Sequence, residues 1–135
     1  MPVLMDSDYQ HGRHAVYLAN YHLVWAPKRR KPVLIGAVKE RLEQTFKEVA
    51  EQRGWKILAS DIQPDHVHLF VSANPNIAIR DIVNAFKGRS SHDLRAEFPH
   101  LLKLPSLWTH SYFASTAGHV SSETIQEYIQ EQKTR

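Results

Sequence analysis

The chain has 135 residues, with 17 Lys and Arg against 14 Asp and Glu for a formal charge of +3, and it contains no cysteine. That length suits one domain with a real core and is short for two, so a single domain over 1–135 is expected. The missing thiols exclude disulfides, thiolate metal sites and a cysteine nucleophile, leaving His, Tyr, Ser and carboxylates for any chemistry.

The mild basic excess permits a polyanionic partner without demanding one. No run reaches the roughly 18 apolar residues of a membrane span, and "MPVLMDSDYQ" lacks a basic-then-apolar signal pattern, so a cytoplasmic location without membrane contact is expected.

In chain order, residues 14–26, "HAVYLANYHLVWA", are β-rich and end at Pro27, and "KRRK" at 28–31 follows as a basic turn. From about Gly36 the apolar positions Val38, Leu42, Phe46, Val49 and Ala50 fall at helical spacing until Gly54 supplies a stop. "WKILASDIQ" reads as a second strand, Pro64 and Asp65 as a turn, and 66–73 as a third strand. Ile79, Ile82, Val83 and Phe86 mark a second helix from about residue 77, interrupted near Gly88 and resumed towards Phe98. After the Pro105 loop, "THSYFAST" reads as a fourth strand. A last helix starts at Ser121 or Ser122, either of which can cap it.

The order β-α-β-β-α-β-α predicts an α+β fold of ferredoxin-like, or RNA-recognition-like, type with one helix appended. Such an antiparallel sheet carries its helices on one face and leaves the other free for a ligand or a partner chain. Fold alone assigns no function.

Two stretches carry candidate chemistry. In "PDHVHLF", residues 64–70, His66 and His68 alternate with Val67 and Leu69, so both imidazoles share one face of a strand, with bases about 6–7 Å apart. That suits two ligands on one metal ion or two donors on one anion, but spacing alone favours a pair of structural histidines bonded to backbone. In "SSETIQEYIQEQKTR", Ile125, Tyr128, Ile129 and Gln132 recur at i, i+3, i+4 and i+7, the stripe of an ordinary amphipathic helix. Gln132 is its odd member, because an amide in an apolar stripe needs a partner.

Taken together, "YHLVWAPKRRKPVL" at 21–34, "PDHVHLFV" at 64–71, "IVNAFKGRSS" at 82–91, "LW" with "SYFASTAG" at 107–118, and "YIQEQ" at 128–132 resemble the HUH-type single-tyrosine transposases. These serve small insertion sequences that move as single-stranded DNA. Each piece is modestly specific, but five in order within one short chain are highly specific. Two departures stand out: His110 and Ser111 occupy the place where a glycine commonly precedes the Tyr-Phe pair, and "ANPNIAI" lacks the serine often found before the second helix. A related branch associated with repetitive extragenic palindromes has a longer tail, so the ending after "YIQEQ" points to the mobile-element branch.

The resemblance implies metal binding at His66 and His68, a nucleophile at Tyr128 and a further metal ligand at Gln132. It implies binding of hairpins in single-stranded DNA at the element ends, and cleavage and rejoining through a 5′-phosphotyrosine intermediate. It also implies a homodimer with active sites shared between chains. Two imidazoles and an amide oxygen favour Mn as the divalent ion, while cellular abundance favours Mg. Asp65 is a candidate for orienting an imidazole, with an ordinary turn role as the other explanation.

Candidate phosphate contacts are Lys28, Arg29, Arg30 and Lys31 in the first turn, and Arg80, Lys87 and Arg89 on or after the second helix. Trp25, Trp108, Tyr112 and Phe113 are candidate stacking groups, most of them better placed in a core. Rival readings are a non-catalytic single-stranded nucleic-acid-binding domain, a domesticated transposase relative, and a water-using metal-dependent phosphodiesterase. The last is disfavoured because two-motif hydrolases of that kind need more than one His-x-His.

Overall fold

A computed structural model describes residues 18–116. Strand β1 (Ala19–Trp25) is followed by helix α1 (Gly36–Arg53), strands β2 (Lys56–Gln63) and β3 (His66–Ala73), helix α2 (Ile79–Glu97) and strand β4 (Phe113–Thr116). The strands form one sheet in the order β2-β3-β1-β4, with every neighbouring pair antiparallel. This is the ferredoxin-like arrangement expected from the element order. The expected last helix, with Tyr128 and Gln132, lies outside the described residues, as do residues 14–17 of the expected first strand.

Alternation along the strands decides which face is covered. Tyr21, Leu23 and Trp25 of β1 and Val67, Leu69 and Val71 of β3 point into one core with Val38, Leu42, Phe46 and Val49 of α1 and Ile82, Val83, Phe86 and Leu94 of α2. The residues between them, His22 and Val24 on β1 and His66, His68 and Phe70 on β3, therefore face away from both helices.

Gly54 ends α1 as expected. Its φ of 74° is the left-handed conformation, and the bonds from Gly54 N–H to the Glu51 carbonyl and from Trp55 N–H to the Ala50 carbonyl close a Schellman motif. The helices are joined on their outer side by charge: Arg41 on α1 reaches Asp93 and Glu97, and Arg89 on α2 reaches Glu48 and Asp93.

Two expectations are corrected. Helix α2 runs through Gly88 without interruption. Gly88 is exposed, while Phe86, Ser90 and Leu94 on either side are buried, so packing holds the helix across a residue of poor helical propensity. Ser90 also accepts a 3.0 Å bond from the Trp108 indole N–H. A β-carbon built at Gly88 meets nothing within 4 Å, so Gly88→Ala is expected to raise stability by about 0.5–1 kcal/mol. Thermal or urea unfolding of the two proteins checks this.

The fourth strand is shorter than "THSYFAST", beginning only at Phe113 opposite Val24. Thr109 is held instead by its backbone bond to Ala26 and by its hydroxyl, which donates to the Ser111 carbonyl. Such local side-chain bonds compete with a ladder, and residues 109–112 leave the sheet as a rim.

Candidate active site

The Pro64-Asp65 turn and the start of β3 assemble one half of the site. With Gln63 opposite His66, the hairpin loop is only two residues long, which fixes Asp65 beside the first imidazole. The Asp65 carboxylate accepts from His66 Nδ1 at 2.8 Å, so the candidate role of Asp65 as an orienting partner has its geometry. The same hydrogen bond, aided by the charge of Arg30 and working against desolvation, holds the Asp65 carboxyl below its ordinary range.

The basic turn completes that side. Residues Lys28–Arg30 form a single 3-10 turn in which Arg29 and Arg30 have φ of 57° and 52°. For residues carrying a β-carbon this left-handed conformation costs about 1 kcal/mol each. It is secured from both sides, by Lys28 N–H to the Leu107 carbonyl and by Leu34 N–H to the Pro64 carbonyl. The result is that the Arg30 guanidinium lies 3.2 Å from Asp65 and 3.3 Å from His66 Nδ1.

His66 and His68 do share a face, with ring centroids 5.1 Å apart and planes at 77°. Sequence reasoning missed a third imidazole beside them. His22 Nε2 lies 2.9 Å from His68 Nδ1, and the His22 ring stacks on Phe70 with centroids 4.2 Å apart and planes within 3°. Burial first, and then the charge of His68, push the His22 imidazole down to about 4. His68 is lowered too, chiefly by burial and next by His66, with Asp61 opposing. A lowered imidazole is a neutral one at physiological pH, the form that ligates metals.

These residues fit a divalent ion. The contacts named above engage Nδ1 on both His66 and His68, which leaves Nε2 as the remaining nitrogen of each ring. An imidazole nitrogen binds a first-row ion at about 2.1 Å, so two rings converging on one ion have centroids about 5 Å apart. Among the described residues no group of three or more His, Asp or Glu forms a complete metal cage. Two of the three expected ligands, His66 and His68, lie together, and the expected third, Gln132, is outside the described range.

Beside His66 lies a concavity of about 510 Å³ lined by Trp25, Arg30, His66, Ser111, Tyr112 and Phe113 among others. Tyr112 and Phe113 are 37% and 58% exposed, whereas Trp25 and Trp108 are core residues packed edge to face. Of the departure at His110 and Ser111, Ser111 thus lines this concavity, whereas His110 lines a separate one with Lys87 and Gly88.

The basic candidates divide. Arg29, Arg30 and Lys31 are exposed on the turn next to the imidazoles, and Lys28 is partly so. Arg80 is exposed on the first turn of α2, the opposite side of the sheet. Lys87 donates to the Thr109 carbonyl and is lowered by burial. Arg89 is occupied by Asp93, Glu48 and Gln52, so its guanidinium has little left for a phosphate.

A ferredoxin-like sheet with a His-x-His pair on its helix-free face, flanked by an arginine and exposed aromatics, is the arrangement expected of a single-tyrosine transposase. The chain belongs to the IS200-like transposase family, whose profile matches residues 15–132. It is 36% identical over 133 residues to the ISDra2 transposase TnpA of Deinococcus radiodurans, covering 96% of this chain and 95% of that one. A solved structure from Deinococcus radiodurans, described as a transposase, superposes with a TM-score of 0.73 at 38% identity over 91% of this chain and 97% of the other. A REP-associated tyrosine transposase bound to a REP hairpin shares the fold, with a TM-score of 0.61 at 13% identity over 88% of this chain and 67% of its own. No helix among the described residues is long and apolar enough to cross a membrane.

Proposed function

We propose that this transposase is a divalent-metal-dependent enzyme that cleaves and rejoins single-stranded DNA through Tyr128. The observation that carries the reading is the pairing of His66 and His68 on the helix-free face, each engaged at Nδ1, by Asp65 and by His22, with Arg30 beside His66. In this reading the Tyr128 phenol attacks a phosphodiester, its oxygen bonds to phosphorus, and the bond to the 3′-oxygen breaks. The phenol proton is lost and the leaving oxygen gains one, giving a 5′-phosphotyrosine and a free 3′-hydroxyl without net oxidation. The phosphodiester energy is kept in the new link, so a second strand's 3′-hydroxyl can reverse the step without ATP.

His66, His68 and Gln132 would hold a Mg or Mn ion, which supplies Lewis-acid stabilisation of charge on the phosphate. Arg30 faces the same place and can bind a phosphate oxygen once the strand displaces it from Asp65. Tyr112 and Phe113 offer stacking surface for unpaired bases. Binding of hairpins at the element ends, a shared-site homodimer and a cytoplasmic location belong to the same proposal, supported by family membership. A hairpin is what the REP-associated neighbour holds.

The test uses single-stranded DNA from the sequence flanking the gene, with Mg²⁺ or Mn²⁺. A covalent adduct is expected with wild type, and none with Tyr128→Phe, which keeps the ring and so keeps hairpin binding. An adduct formed by Tyr128→Phe sinks the assignment, and hairpin binding by wild type without any adduct favours a non-catalytic module.

A further inference from the structure

The paired histidines are held in unlike ways, and the difference identifies a residue that the reading above does not use. His66 leans on a carboxylate supplied by its sequence neighbour Asp65. His68 leans on His22, which is 46 positions away on the adjacent strand. In the β1–β3 register Val24 stands opposite His68 and Phe70 opposite His22, so His22 and His68 are diagonal neighbours on the helix-free face.

A neutral imidazole carries one N–H and one lone pair. For His68 to offer its lone pair at Nε2, its proton must sit on Nδ1, and there the only fitting partner is an acceptor. His22 Nε2 lies 2.9 Å from that nitrogen. If it accepts, the His22 proton is on its own Nδ1. The acceptor is also held in place: the His22 ring lies flat on Phe70 and meets the edge of Phe113, and His22 and Phe70 are 9% and 4% exposed.

We propose that His22 is the positioning residue that fixes His68 as its Nδ1–H tautomer, so that Nε2 is presented as a metal ligand. His22 is not a third ligand in this arrangement, because its Nε2 is spent on His68. Carboxylates and carbonyls commonly serve this purpose beneath metal-ligating histidines. Here a stacked neutral imidazole takes that place, whereas Asp65 brings a negative charge that Arg30 balances.

The inference rests on the reading of His68 as a metal ligand, and the test separates the two. Long-range ¹H–¹⁵N ring correlations on the metal-free full chain near neutral pH are expected to show His68 with its proton on Nδ1. In His22→Phe, which keeps the stack on Phe70 but has no acceptor, that preference is expected to be lost. Mn²⁺ affinity, followed by the paramagnetic resonance of the free ion, is expected to fall about 10- to 100-fold. His22→Gln retains an acceptor oxygen and is expected to recover most of that loss.

His68 protonated on Nε2 in the wild type overturns the inference, and this needs no variant to fold. So does unchanged Mn²⁺ affinity in a folded His22→Phe protein. A wild type that binds no Mn²⁺ but shows the tautomer shift on substitution overturns the metal reading and supports the role of His22.

Discussion

Alanine at His66 or His68 is expected to lower the rate of single-strand cleavage by at least about 100-fold, the scale of removing one preorganised charge-stabilising group from a transition state. Hairpin affinity should stay close to that of wild type, because the exposed Arg29 and Lys31 of the basic turn and the exposed Tyr112 and Phe113 are untouched by either change. The two variants should differ in stability. His66→Ala removes a ring from the surface end of β3, beside a carboxylate that keeps its ion pair to Arg30 at 3.2 Å. His68→Ala removes the 2.9 Å contact to the buried His22, and the loss of one hydrogen bond costs about 0.5–1.5 kcal/mol.

Single-turnover cleavage, a hairpin-binding titration and a melting curve on each variant give three separate readings. Loss of hairpin binding as severe as the loss of cleavage, in a protein that melts normally, would show that the imidazoles grip DNA rather than act on it. Equal melting of the two variants would show that the His22–His68 contact contributes nothing to the fold.

The contrast between the two histidines marks what could be read in the sequence. Alternation around Val67 and Leu69 was enough to put His66 and His68 on one face. The order of elements was enough for the sheet, and Gly54 for the end of α1. Asp65 was visible because it adjoins His66. His22 was not, since its relation to His68 exists only once β1 and β3 are paired in register. A signal was present nonetheless: in "NYHLVW" His22 falls out of phase with Tyr21, Leu23 and Trp25, so a polar group was due on the open face.

The same limit governs the basic residues. Lys87 and Arg89 read as free cations in "FKGRSS", but their partners Thr109 and Glu48 lie 22 and 41 positions away. Gly88 failed as a breaker for a related reason, because the buried Phe86, Ser90 and Leu94 decide the helix through packing that local propensity does not see.

Mixing two inactive proteins is expected to restore activity, and the amount restored reports how the sites are built. Strand β4 is described as far as Thr116, and eleven residues lie between it and Tyr128, a path of up to about 40 Å if extended. Gly118 lies in that path and permits more than one direction. Tyr128 can therefore reach the histidines of its own chain or those of a neighbour, and the proposed two-fold dimer takes the second route. Folded His66→Ala protein lacks a ligand and folded Tyr128→Phe protein lacks the nucleophile, so each alone is inert. When equal amounts exchange subunits at random, half of the dimers are mixed. With shared sites, each mixed dimer pairs the intact histidines of one chain with the intact tyrosine of the other at one of its two sites. About a quarter of wild-type activity should then return. Sites closed within single chains restore nothing, because every chain in the mixture lacks one component. Exchange is verified independently, by tagging one variant and recovering the other with it. A mixture with proven exchange that stays inert rules out sharing, and a return near one quarter excludes the single-chain site.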